Sequence, residues 1–189
     1  MINEIEAKIN NIKSELIELR KKIYHTDSYD LRKEYDKKLK KYYELCKELD
    51  KLRDLEFIKK NACYISDGEI DLYLFNYDSK TGGRFCKIYL HNESVFLGEI
   101  NFQGKMEYSP FGNISYYIDK EFQGHNYALK ALKLITDKIY EDGIDKVFIS
   151  AHDYNIPSIK TIEKFGGKLI DQFSHINSYE CDLNKNKKF

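Results

Sequence analysis

Hydrophobic periodicity changes once along this chain of 189 residues, and the change limits what each part can fold into. Neither glycine nor proline occurs before Gly68, so nothing interrupts helix over the first third of the sequence. Ile2, Ile5, Ile9, Ile12, Leu16, Leu19 and Ile23 recur in steps of three and four, an a/d seam separated by Glu, Lys, Asn and Ser. The repeat stops at His25-Thr26-Asp27-Ser28, where Asp27 or Ser28 can cap a second helix. That helix carries Leu31, Tyr35, Leu39, Tyr42, Leu45, Cys46, Leu49 and Leu52 on a broader apolar face. A short connection makes successive helices antiparallel neighbours, so residues 1–60 are expected to form a coiled-coil-like helical hairpin. Its Glu and Lys residues alternate at helical spacing, as a solvated face requires.

From about residue 63 the period shortens. Strands are expected at 70–75, 85–90, 95–102 and 114–119, with His91-Asn92-Glu93-Ser94 as a hairpin loop. The order then becomes helix over 128–142, strand over 146–150 and helix over 155–165, with closing strands at 168–173 and 178–183. Gly143 and Gly166-Gly167 end the two helices. The 146–150 strand is almost wholly apolar, as a strand covered on both faces should be. Residues 61–189 therefore read as an α/β unit with a mixed sheet.

Composition narrows the function. Thirty-one basic residues balance thirty-one acidic ones, so no net field favours nucleic acid. No apolar run approaches the roughly 20 residues that span a bilayer, so no membrane partner is expected. The start, Met1-Ile2-Asn3-Glu4, lacks the basic-then-apolar plan of a secretory signal. Cys46, Cys63, Cys86 and Cys181 lie far apart without Cys-x-x-Cys spacing, which suits unpaired thiols in a reducing cytoplasm. His152, Asp153 and Asn155 do not have metal-ligand spacing, and no metal is expected.

Two stretches carry the chemistry. Residues 119–129 place a glycine-containing loop between a strand and the first turn of a helix. Unpaired amides and the positive end of the helix dipole coincide there, a combination that binds phosphate. In the second stretch Asn155 stands at an N-cap position and Pro157 in the first helical turn. A strand–loop–helix–strand–loop–helix array brings both loops to the same end of a parallel strand pair.

Together these stretches resemble the GNAT superfamily, the Gcn5-related N-acetyltransferases. The signature Gln/Arg-x-x-Gly-x-Gly/Ala is similar to Gln123-Gly124-His125-Asn126-Tyr127-Ala128, and Asn155, Ser158 and Glu163-Lys164-Phe165-Gly166 follow a later motif. The resemblance spans about residues 69–183. It implies a mostly antiparallel mixed sheet with a splayed central parallel strand pair and flanking helices. It also implies an acetyl-coenzyme A donor whose acetyl group passes directly to an amine of a small molecule or peptide. Amides from Gln123 to Ala128 would hold the pyrophosphate. Tyr117, Ile118 and Asp119 would pair with the pantetheine arm, one amide polarising the thioester, and Asn155 would touch that arm with Ser158 nearby. His125 would be exposed.

Departures from the family pattern matter too. Asn126 replaces the central glycine. Ile162 stands where many relatives have a tyrosine that protonates the leaving thiolate, which leaves Tyr154 or solvent as the acid, or a catalytically impaired coenzyme A-binding sensor or interaction protein as the alternative. Glu99, mid-strand among apolar neighbours, is the candidate general base. Only about eight residues, 77–84, join the first two strands where the family places two helices, so the amino-terminal hairpin is expected to cover part of that vacancy. Its apolar seams and the closing strands are compatible with a homodimer.

Overall fold

Helix α1 (Ile2–Thr26) and helix α2 (Tyr29–Lys60) pair antiparallel, as two cross-links show: Glu6 with Arg53 at 2.8 Å, and Glu15 with Lys38 at 2.6 Å. The computed structural model describes residues 2–26, 28–105 and 112–184. The α1 seam buries Ile5, Ile12, Leu16 and Leu19, while on α2 only Leu49 is fully buried. The Ser28 hydroxyl accepts weakly from the Leu31 amide at 3.5 Å; Asp27, the other capping candidate, lies outside the described residues. Residues 1–60 form one compact unit and residues 61–189 another. No described helix is long and apolar enough to cross a membrane.

The second unit is built on eight strands in the order β1-β2-β3-β4-β5-β6-β8-β7. They are β1 (Ile65–Ser66), β2 (Ile70–Asp78), β3 (Gly83–Leu90), β4 (Phe96–Phe102), β5 (Ile114–Ile118), β6 (Lys146–His152), β7 (Lys168–Phe173) and β8 (Ile176–Asp182). Helix α3 (Tyr127–Glu141) joins β5 to β6, and helix α4 (Ile156–Phe165) follows β6. Every neighbouring pair is antiparallel except β5 with β6. One core face gathers Ile70, Leu72, Ile88, Ile100, Ile118, Ile149 and Cys181 under the apolar stripes of α3 and α4, including Leu132, Ile135, Ile162 and Phe165.

The β2–β3 connection is tighter than the sequence suggests. Pairing runs out to Asp78 and Gly83, and Asp78 organises the turn by accepting from the Lys80 amide and the Thr81 hydroxyl, both at 2.9 Å. Those donors hold its carboxyl below the usual carboxylate range. The short strand β1 had no periodic signal, because two residues cannot show one.

The parallel pair is barely paired. Only Ile114 and Ile149 are in register, after which β5 and β6 diverge. Asn113, at the apex, is 1% exposed and fully engaged. Its amide donates to Phe148 O at 2.8 Å, its Oδ1 accepts from Phe148 N at 2.8 Å, and its Nδ2 donates to Gly104 O at 3.0 Å. A side chain that takes over a ladder bond ends the regular pairing. On the other flank of β5, Gly98 lies so close that an added Cβ would stand 2.0 Å from the Tyr117 carbonyl oxygen. Only glycine permits that approach, which presses β5 against β4 and away from β6.

Candidate active site

Two helix N-termini line one cleft beside the open strand pair. After β5 the chain makes one 3₁₀ turn over Lys120–Phe122 and enters α3 at Tyr127. Gly124 takes φ +86, and Asn126 takes φ +62 with ψ 14, both left-handed. Asn126 thus keeps the conformation for which the signature uses glycine, one that asparagine tolerates better than most residues. Its Oδ1 accepts from Lys164 Nζ of α4 at 3.2 Å. The Gln123 side chain turns back and donates to the Ile118 carbonyl at 2.9 Å, bracing the loop on the strand it leaves.

No side chain caps α3. Its first backbone bond runs from Lys130 N to Asn126 O at 3.1 Å, and among the described residues the amides of Tyr127, Ala128 and Leu129 have no backbone acceptor. Unpaired donors at the positive end of a helix dipole form a seat for an anion. Helix α4 starts differently: the Asn155 side chain accepts from the Ser158 amide at 3.3 Å, and Pro157 occupies the first turn.

Between these ends lies a cleft of about 400 Å³, lined by residues 116–118, 122–124, 126–128, Asn155, Pro157, Ser158, Lys160 and Thr161. A second cavity of about 280 Å³ occupies the strand gap itself, lined by residues 114–116, 149–152, Asn155, Ser158 and Ile176. Tyr116, Asn155 and Ser158 border both. An amide-rich cleft at a helix N-terminus, leading into a narrow gap between strands, fits a long ligand with phosphate at one end.

Backbone direction sorts the strand residues. Asp119 N donates to Leu97 O at 2.9 Å, so its amide faces β4. Alternation along the strand turns the Tyr117 amide the same way, and the amides of Tyr116 and Ile118 toward the gap. Of the expected trio Tyr117, Ile118 and Asp119, only Ile118 presents its amide there, and Tyr116 is the second. Residue spacing could not show this, because the side an amide faces depends on which neighbour holds the strand.

The other candidates scatter. Gln123, Gly124, Asn126, Tyr127, Ala128, Asn155 and Ser158 line the cleft, whereas His125 is exposed and stacks on Tyr127 with ring centroids 5.6 Å apart. Glu99 is half-buried and stands directly across from Lys87 of β3 and Tyr117 of β5, bordering neither cavity. Tyr154 is 74% exposed and stacks on His152 at 4.9 Å, also outside both linings. Ile162 is wholly buried, and an added Cβ on Gly167 would lie 2.5 Å from its Cγ2, so Ile162 fills space that Gly167 vacates. Phe122, Lys160 and Thr161 were not anticipated. Helical spacing could have found Thr161, four residues after Pro157, whose carbonyl its hydroxyl bonds at 2.9 Å. Among the described residues no group of three or more His, Cys, Asp or Glu side chains could hold a metal.

The sequence pattern of the acetyltransferase (GNAT) domain matches residues 32–168. The chain belongs to that family of acetyltransferases. The match begins within α2, well before the 69–183 stretch that carries the motifs. Curated proteins offer no match to the sequence. Among solved structures it is similar to a domain from Methanocaldococcus jannaschii, at 20% identity and a TM-score of 0.48 over 56% of this chain and 70% of that one. A GNAT-family acetyltransferase from Bacillus anthracis aligns at 17% identity and 0.46, over 53% and 66% of the two chains. The RimL ribosomal L7/L12 α-N-protein acetyltransferase in complex with coenzyme A aligns at 18% and 0.46, over 54% and 63%. The latter two are thus matched over less than two-thirds of their own length.

Proposed function

We propose that this chain transfers the acetyl group of acetyl-coenzyme A directly to a primary amine, without a covalent enzyme intermediate. The observation that carries this reading is the adjacency of the cleft at the α3 start and the β5–β6 gap, which share the lining residues Tyr116, Asn155 and Ser158. In this reading the amides around Gln123 to Ala128 hold the pyrophosphate, with Lys164 close by through Asn126. Asn155 and Ser158 flank the pantetheine arm. The gap-facing amides of Tyr116 and Ile118 polarise the thioester carbonyl and stabilise the oxyanion that forms when nitrogen attacks.

The attacking nitrogen must shed a proton. Glu99 is the proposed base, acting through water from the sheet face it shares with Tyr117. A thioester is reactive enough that holding donor and amine together supplies much of the acceleration. We also assign the chain to the cytoplasm, since all four cysteines are free and unpaired thiols suit a reducing compartment.

Calorimetry with acetyl-coenzyme A, followed by thiol release with a panel of polyamines, amino sugars, amino acids and short peptides, tests the proposal. Binding with amine-dependent thiol release is expected. Binding without release by any amine would support the sensor reading instead.

A further inference from the structure

The cleft and the gap cavity share three lining residues, and only one of them has a side-chain proton to give. Asn155 has no acidic proton, and its Oδ1 is already bound to the Ser158 amide at 3.3 Å. An aliphatic hydroxyl such as that of Ser158 holds its proton too tightly for transfer near neutral pH. Tyr116 is the phenol on this rim, and an ordinary phenol ionises at about 10. Its hydroxyl lies 3.4 Å from the Ser158 carbonyl, a long bond that a better acceptor would displace. Ile162, where the resemblance looks for a tyrosine, is buried in the core, and Tyr154 stands in solvent against His152.

We propose that Tyr116 is the catalytic acid of this chain, giving its phenolic proton to the coenzyme A sulfur as the carbon–sulfur bond breaks. The assignment rests on the acetyl-transfer reading above. The nitrogen lone pair forms the new carbon–nitrogen bond, and the carbon–sulfur pair leaves on sulfur. The Tyr116 proton converts the nascent thiolate to a thiol. The proton that Glu99 takes from the acceptor nitrogen leaves to solvent and the phenolate regains one from solvent, so none is consumed overall.

Burial makes the transfer workable. It raises the Tyr116 phenol above its ordinary value, against smaller lowering by Ser158 and Thr161, so the group stays protonated across the neutral range. The same loss of water raises a thiol, as the chain's own buried Cys86 and Cys181 illustrate, each pushed up to about 12. Burial thus moves proton donor and recipient in the same direction.

Tyr116→Phe and Tyr154→Phe, compared with the unmodified chain, test the assignment in two ways. By calorimetry the unmodified chain should bind coenzyme A about three- to tenfold more tightly than desulfo-coenzyme A, the range of one hydrogen bond. Tyr116→Phe should lose that preference while binding desulfo-coenzyme A as before, which also shows that it is folded. Hydrolysis of acetyl-coenzyme A, with water as nucleophile, should lose about a hundredfold in kcat at constant KM in Tyr116→Phe. Tyr154→Phe should behave as the unmodified chain. An undiminished preference for coenzyme A in Tyr116→Phe, or a loss confined to Tyr154→Phe, overturns the assignment and leaves the coenzyme site standing. Failure of the unmodified chain to bind either ligand would instead overturn the acetyl-transfer reading beneath it.

Discussion

Helices α3 and α4 both start at the open strand pair, each behind an asparagine, and the two asparagines act in opposite ways. Asn155 turns its side chain inward and caps α4 through the Ser158 amide. Asn126 sits in the left-handed region, leaves α3 uncapped and gives its Oδ1 to Lys164 instead. One helix start has a side-chain acceptor for an amide of its first turn, and the other has none. The difference lies in the backbone conformation of the two cap residues and not in residue type, since both are asparagine.

The contrast can be broken at its open end first. Asn126→Ile puts a β-branched side chain where φ is +62, a conformation that costs more than about 1–2 kcal/mol for such a residue. The loop should abandon its turn, and calorimetry should show coenzyme A affinity reduced more than about tenfold, the equivalent of that strain. Because Asn126 is exposed, the thermal midpoint should change little.

Breaking the closed end should do the reverse. Asn155→Ala removes the N-cap and should lower stability by about 1 kcal/mol in a denaturant titration. Affinity for coenzyme A should fall less than in Asn126→Ile, because the α3 amides keep their geometry. If Asn155→Ala weakened binding more, the anion seat would have to be moved to α4.

The smallest effect should come from the tie between the α3 start and the last turn of α4. Lys164→Ala removes an exposed contact to Asn126, worth less than about 1 kcal/mol, so affinity should drop no more than about fivefold. The difference should shrink as salt is raised, since screening weakens the ammonium's attraction for phosphate.

Local features were legible in the sequence where few neighbours determine them. The Asn155 cap, Pro157 in the first turn and Gly166 in the left-handed C-cap frame α4 as expected. The loop from Gln123 to Ala128 also lies where the spacing places it, and its glycine and asparagine adopt the positive φ their residue types allow. An isolated glycine in a strand signals a bulge or a close backbone approach, and Gly98 carried that signal unused. Asn113 carried none, because its importance lies entirely in contacts with Gly104 and Phe148.

Periodicity, caps and turn residues act within a turn or two of chain, so the sequence alone determined the helices, most strands, their order and the position of the loop before α3. Register and long-range contact are different, because they depend on which strand edge is occupied and which helix lies opposite. Only the folded chain turns the Asp119 amide away to β4, buries Ile162 against Gly167 and brings the Tyr116 hydroxyl to Ser158, 42 residues away. Tyr116 and Tyr117 are adjacent and equally aromatic, and strand alternation is what sends one to the shared rim toward α4 and the other to the Glu99 face.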